Sequence, residues 1–180
     1  MAHSHFQNIY TEDTPPGTLP NSPILNSVPN LINHSINRSL MSPISKKEVK
    51  RSLVGMESDK APGPVGFTTR FLKTCWKNIK HDLHKMVIKS QVYNKIGGST
   101  NSSFLALIPK EKGATSFDRF RPFSLCNIGY KIITKVIANR IKEVLPSIIP
   151  NNQGGFIKGR HIVDNIILVQ EAIHSSLHRR

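Results

Sequence analysis

SFLALIPKEKGATSFDRFRPFSL, residues 103–125, is the stretch on which the fold turns. Ser103 to Ile108 is a short apolar run after a turn signal, closed by Pro109, and has the pattern of a strand. Phe120 to Leu125 follows a polar, Gly-containing loop and reads as its hairpin partner. Pro122 has no N–H to give to a ladder, which assigns it to an edge or a bulge.

Around this hairpin the spacing is helical. Tyr130 to Ile149 is the clearest helix: Ile133, Val136 or Ile137, Ile141, Val144 or Leu145, and Ile148 share one face. Lys131, Lys135, Arg140 and Lys142 fall largely on the other, and Pro150 stops it. A Gly-rich, basic loop from Asn151 to Gly159 leads to a last amphipathic helix, Ile162 to Leu177. Upstream, Ser45-Lys-Lys-Glu48 is a capping box, and Val49, Leu53 and Met56 continue it as a short helix. Phe67 to Lys95 has apolar residues at Phe67, Phe71, Cys75, Ile79, Leu83 and Met86 or Val87. These fit one long helix, or two broken near Asp82, ended by Gly97-Gly98. Between these helices Lys60-Ala-Pro-Gly-Pro-Val-Gly66 is neither helix nor strand, and its prolines and glycines shape a tight loop. The fold class expected is α+β, helix-rich, with one small hairpin. Phe71, Trp76, Leu83, Tyr130, Ile133, Ile137 and Ile166 are the expected core.

Residues 1–44 read differently. Six of the twelve prolines fall in residues 1–43, among many Asn and Ser, with little apolar periodicity. Such a stretch buries too little surface to offset its ordering entropy and is expected to be a disordered linker. The domain proper is expected to span residues 45–180.

Charge separates the same two parts. The chain carries 25 Lys and Arg against 11 Asp and Glu, a net of +14. Residues 1–45 hold one base (Arg38) and two acids (Glu12, Asp13), a net of −1; the other 135 residues hold 24 bases and 9 acids, a net of +15. A body this basic favours a polyanion, most often nucleic acid, through phosphate neutralisation and counterion release. Cys75 and Cys126 form neither a disulfide framework nor a CxxC site, which fits a reduced, intracellular setting, nuclear or cytoplasmic. No run approaches the roughly 20 apolar residues of a membrane span, and the N-terminus lacks the pattern of a signal peptide. His81-x-x-His84 and His174-x-x-x-His178 have helical spacing but no further ligand nearby, so no metal site is expected in this chain.

Three segments resemble the reverse transcriptase region of LINE-type (non-LTR) retrotransposons, particularly the plant-type elements. KAPGPVGFTTRFLKTCW (60–76) is similar to the family's K-x-PGPDGF…F…W block. LALIPKEKGATSFDRFRPFSLCNIGYKIITKVIANRI (105–141) is close to LIPK…RPISLxNxxYKIxxKxLAxRL. NNQGGFIKGRHIVDNIILVQEAIH (151–174) is close to QxGFxxGRxIxDNIxxxxExxH. They stand in the family's order and at its spacing. HFQNIYTED (5–13) looks like the segment that joins endonuclease to polymerase there.

The resemblance implies a right-hand polymerase, of which this chain is the fingers and the palm entry. It implies RNA template, DNA primer and deoxynucleotide triphosphate as partners, and Mg2+ as the intact enzyme's cofactor, with none bound by this fragment. Lys110 and Arg121 would meet the triphosphate, a point charge and a fork that suit phosphate. The plain alternative is two solvated charges on a surface hairpin. Gln153, Gly155, Phe156 and Arg160 would contact template and primer, with Phe156 stacking on a base; equally, Phe156 would sit in the core of a helix connection. Pro62, Gly63, Pro64 and Gly66 would shape the loop before them.

Two departures temper this. Val65 stands where the family has an aspartate able to accept backbone amides, so the loop is expected to be held less firmly. The palm carboxylates that carry the two catalytic metal ions belong to blocks resembling LDxxKAYD and YADD, expected downstream of Arg180; Glu57, Asp59, Asp118 and Asp164 do not replace them. The expectation is therefore a fragment inactive alone, with an apolar side meant for the missing palm and thumb. A non-enzymatic nucleic-acid-binding module and a pseudogene product are the alternatives.

Overall fold

The computed structural model describes residues 2–11, 29, 31–157 and 159–177. In order along the chain these form α1 (Ala2–Tyr10), α2 (His34–Met41), α3 (Lys46–Val54), α4 (Thr69–Thr74), α5 (Trp76–Tyr93) and the single turn α6 (Gly98–Asn101). The hairpin β1 (Ser103–Pro109) and β2 (Phe120–Cys126) follows, with a 3-10 turn (Phe117–Arg119) before β2, then α7 (Ile128–Ile148) and α8 (Ile162–Leu177). The architecture is mixed, helix-rich, with one two-stranded antiparallel sheet. No described helix is long and apolar enough to cross a membrane.

The core lies where α3, α5 and α7 meet: Val49 and Leu53 from α3, Val87 from α5, and Ile128, Ile132, Ile133 and Val136 from α7, with Ile44 and Leu72 closing its ends. Leu53, Ile132, Val49, Val87 and Val136 are almost completely buried, each contributing roughly 1.5–3 kcal/mol of hydrophobic stabilisation. Ser52, buried among them, accepts from Asn139 Nδ2 at 3.1 Å, so its burial leaves no orphan polar group.

α3 starts where the sequence places it. Ser45 Oγ accepts from the Glu48 amide, and the Glu48 carboxylate takes the Ser45 amide at 2.7 Å. Glu48 also receives Arg140 Nε at 2.8 Å, while the same guanidinium donates to the carbonyls of Leu40, Ser42 and Pro43. Arg140 thus staples the segment after α2 to the body. Its guanidinium, together with the Ser45 donors, holds the Glu48 carboxyl down at about 2, against the opposing effect of burial.

Several expectations need correction. The lead-in contains two helices. α2 is capped by Asn33, whose side chain accepts from the Ile36 amide, and Gln91 bonds the Met41 and Ser42 carbonyls behind it. α1 buries Phe6, whose ring meets Phe117 edge-on at 6.2 Å. Residues 12–28 lie outside the described residues. The helix from Phe67 breaks at Cys75, not near Asp82: Cys75 takes φ −85°, ψ 9° and ends α4 while starting α5. α5 ends at Asn94 in the left-handed region, before the glycines, and Gly97 instead opens α6. On α7, Ile133 and Val136 are buried as expected, and Ile128 and Ile132 join them. Ile137, Phe71 and Ile166, expected in the core, are each about half exposed, at 48%, 44% and 52%.

Candidate nucleic-acid interface

The hairpin pairs Ser103 with Cys126 through to Pro109 with Phe120, and Pro122 sits opposite Leu107 in what is necessarily an edge strand. Cross-strand partners share a face, so Phe104, Ala106 and Ile108 lie with Leu125, Phe123 and Arg121 on one side. Phe104, Phe123 and Ile108 are exposed there. Arg121 is exposed, and its side chain makes no hydrogen bond or ion pair among the described residues. The face therefore offers two aromatic rings and an uncommitted guanidinium, which is what a strand with both bases and phosphates requires. Phe104 and Phe123 were not singled out from sequence, although strict alternation from Arg121 points to both.

Lys110 is placed differently from Arg121. Its amide donates to the Arg119 carbonyl at 2.8 Å, extending the ladder by one rung, and its Nζ donates to the Asp118 carbonyl at 2.7 Å. The tip is braced further by Arg119 to Glu111 at 2.9 Å and by His5 against Asp118 at 3.7 Å. Lys110 and Arg121 thus share one hairpin, but the lysine is folded onto its own turn.

At the hairpin base the Pro-Gly loop docks through Asn127. Asn127 Oδ1 accepts the Val65 amide at 2.9 Å, while its Nδ2 donates to the Ser99 carbonyl and to Ser102 Oγ. Lys131 Nζ reaches the Ala61 carbonyl at 3.2 Å. Gly63 is buried at this junction, and a Cβ there would lie 2.5 Å from the Asn127 nitrogen and the Cys126 carbonyl carbon. Only glycine permits that approach. Gly66 turns the loop out at φ 79°; Pro62 is exposed and Pro64 half-buried. At Val65 the backbone amide is held by Asn127, and the side chain borders an open cavity.

In the loop before α8, Phe156 is fully exposed and adopts φ 64°. A left-handed conformation costs a non-glycine residue roughly 1–2 kcal/mol, and here nothing apolar is buried in return. The core reading of Phe156 is thereby excluded. Gln153 is exposed and Gly155 half-buried beside it. Arg160 is engaged within the protein. Its guanidinium donates to the carbonyls of Pro146, Ile149, Pro150 and Gln153 at 2.6–3.2 Å. These include carbonyls at the end of α7 that have no helical partner, so Arg160 holds the loop to that helix end. Asp164 accepts from the His161 amide at the start of α8.

Several other ionisable groups are engaged within the protein. His84 bonds the Ile44 carbonyl and His81 meets Lys46 Nζ. Glu57 pairs with Lys60 and Asp59 with Arg70. No three His, Cys, Asp or Glu side chains converge among the described residues.

No family model matches the chain. It is 29% identical over 178 residues to the transposon TX1 uncharacterized 149 kDa protein of Xenopus laevis, which covers 96% of this chain and 13% of that protein. It is 28% identical over 138 residues to the retrovirus-related Pol polyprotein from type-1 retrotransposable element R2 of Nasonia vitripennis, covering 76% of this chain and 12% of that protein. The chain thus spans about an eighth of the length of these curated relatives. Both are proteins of non-LTR retrotransposons, and their similarity supports a LINE-type retrotransposon origin for this chain.

Proposed function

We propose that this chain is the fingers and palm-entry segment of a reverse transcriptase-like protein, an RNA-directed DNA polymerase in its family. Its own part is to hold an RNA template with its DNA primer and the incoming deoxynucleotide triphosphate. The observation that carries this reading is the hairpin face on which the uncommitted Arg121 stands beside Phe104 and Phe123, in a chain similar to a Pol polyprotein. Phe156, projected at energetic cost from the glycine-rich loop, supplies a second stacking surface. Lys110 joins Arg121 at the triphosphate by exchanging the Asp118 carbonyl for a phosphate oxygen. The metal ions of nucleotidyl transfer are held by other residues, and the apolar α8 packs on the palm or thumb that carries them.

The test is binding of a labelled RNA–DNA template–primer to the purified chain across a salt series, with primer extension alongside. Affinity should fall steeply with salt, with a log–log slope of roughly 0.7–0.9 per phosphate contact. Arg121→Ala should make that slope shallower by about one contact, and the chain alone should extend no primer. Binding indifferent to salt and to Arg121→Ala would overturn the proposal.

A further inference from the structure

Two cavities open side by side on the body, neither lined by a residue of the hairpin strands or by Phe156. The first, about 660 Å³, is bordered by Lys85, Lys89 and Tyr93 of α5 and by Lys95 just beyond it. The second, about 490 Å³, is bordered by Val65, Phe67, Phe71, Leu72 and Leu83, and its walls are mostly apolar. Asp82, Met86, Ser99 and Thr100 belong to both, so the two adjoin across one wall. Volumes of about 300–1,000 Å³ are typical of ligand clefts.

The chemistry of the two halves differs. Lys85, Lys89 and Lys95 have no ion-pair partner among the described residues, and three unneutralised ammonium groups around one cavity suit an anion. On the other side Phe67 and Phe71 are stacked, with centroids 4.9 Å apart and planes 8° apart, and both remain about half exposed. Aromatic pairs in a core normally bury this area; here it faces open space. Asp82, on the shared wall, accepts hydrogen bonds and repels phosphate. It therefore favours a base amine or ribose hydroxyl between the halves and directs phosphate to the lysines. An apolar peptide would fill the second cavity but leave the lysines unmatched, whereas a nucleic-acid strand satisfies both.

We propose that these adjoining cavities form a second nucleic-acid site, which takes one unstacked base of a single strand against Phe67 and Phe71 while Lys85, Lys89 and Lys95 hold the flanking phosphates. The site is separate from the hairpin and the Phe156 loop, and shares with the proposed function only its class of partner. Single strands are its substrate because a paired base cannot leave its stack without the cost of opening the duplex.

The experiment uses the full chain and a short single-stranded RNA carrying one 2-aminopurine, with affinity and base fluorescence read together. Phe71→Ala should weaken binding about tenfold, the scale of one lost base–aromatic stack, leave the salt slope unchanged, and abolish the fluorescence change on binding. Lys85→Glu with Lys89→Glu should weaken binding more and make the salt slope shallower by roughly two phosphate contacts. Lys47→Glu with Lys50→Glu, the same change of charge on α3 away from both cavities, should do much less. Phe71 is partly exposed, so its truncation leaves the fold intact, which the thermal transition verifies. Equal affinity for the matching duplex would overturn the proposal, as would equal effects of the two lysine pairs. If Arg121→Ala and Phe156→Ala abolish binding while Phe71→Ala changes neither affinity nor fluorescence, the hairpin reading stands and this site falls.

Discussion

Helix α7 sinks Ile128, Ile132, Ile133 and Val136 into the core, whereas α8, with Ile162, Val163, Ile166, Ile167, Leu168, Val169, Ile173 and Leu177, buries nothing. Composition does not explain the difference, since α8 is if anything the more apolar of the two. What differs is what surrounds them. α7 is flanked by α3 and α5, begins at the Asn127 network and ends in the grip of Arg160. α8 leaves that grip through a loop, and none of its apolar side chains is buried against another described element. Burial belongs to a helix and its neighbours together, and an apolar surface of this extent marks an interface. The two regions differ accordingly: α7 is the beam on which the site is built, and α8 exposes its apolar face.

The contrast breaks first at Ile132. Ile132→Ala should cost about 3 kcal/mol, the scale of a large-to-small substitution in a closed core, read as a shifted midpoint in urea unfolding. A cost below about 1 kcal/mol would mean that the core collapses around the cavity and that α7 is no more firmly built in than α8.

Next in size is the Arg140 staple. Arg140→Ala should cost about 2 kcal/mol, because it removes a charge-assisted bond to Glu48 and the guanidinium donors of the Leu40, Ser42 and Pro43 carbonyls, of which Ser42 keeps Gln91. Its signature lies in pH. Glu48 has a folded pKa of about 2 against 4.5 ordinarily, so its stabilisation is complete above 4.5 and is lost as pH falls through about 2. Wild-type stability should fall across that acid window, and the fall should be shallower in both Arg140→Ala and Glu48→Gln. Identical acid limbs in the three proteins would show that the pair does not bear on stability.

Much of α7 and α8 was legible in the sequence, and the reasons for success and failure are physical. The capping box at Ser45, the hairpin strands and the bounds of α8 are local, and local chemistry was enough to place them. The break at Cys75 was not legible, because no glycine or proline marks it. Asn94 ends α5 by adopting a left-handed conformation that asparagine tolerates, a stop signal weaker in sequence than the glycines that follow it. The α7 stripe was read only in part: Ile133 and Val136 are buried, but Ile128 and Ile132 were missed and Ile137 and Ile141 are about half exposed, because isoleucines occupy more than one face and periodicity alone cannot tell which is covered. In the candidate site, residue identity foretold position but not partnership. Arg121 and Phe156 are free as a ligand-binding reading requires, while Arg160 spends its donors on the end of α7 and Lys110 on its own turn. Asn127 escaped notice because its importance lies in contacts 25 to 62 residues away in sequence.

Gly63 tests the other end of the beam. Gly63→Ala brings a methyl group against the backbone of Cys126 and Asn127, where no flexible side chain can yield, so a cost of about 1–3 kcal/mol is expected. The loop should be displaced from Asn127, exposing the amide of Val65 to hydrogen exchange. Unchanged protection at Val65 would mean that the loop and α7 are not coupled through this contact.

The smallest expected effect decides the comparison. Ile167→Ala removes the same atoms from α8 that Ile132→Ala removes from α7, yet it should change stability by less than about 0.5 kcal/mol, the range of ordinary surface substitutions. Its consequence should appear elsewhere. Replacing Ile166 and Ile173 together by Glu should reduce binding of a hydrophobic dye and raise solubility, since both residues face solvent, without shifting the urea midpoint. A midpoint shift above about 1 kcal/mol in Ile167→Ala would require this side chain to be buried in the isolated chain. The unpartnered helix would then be part of the body, and the apolar face would have to be sought elsewhere. An unchanged midpoint together with weaker dye binding would establish α8 as an exposed apolar surface, free to pack on the palm or thumb of the proposed function.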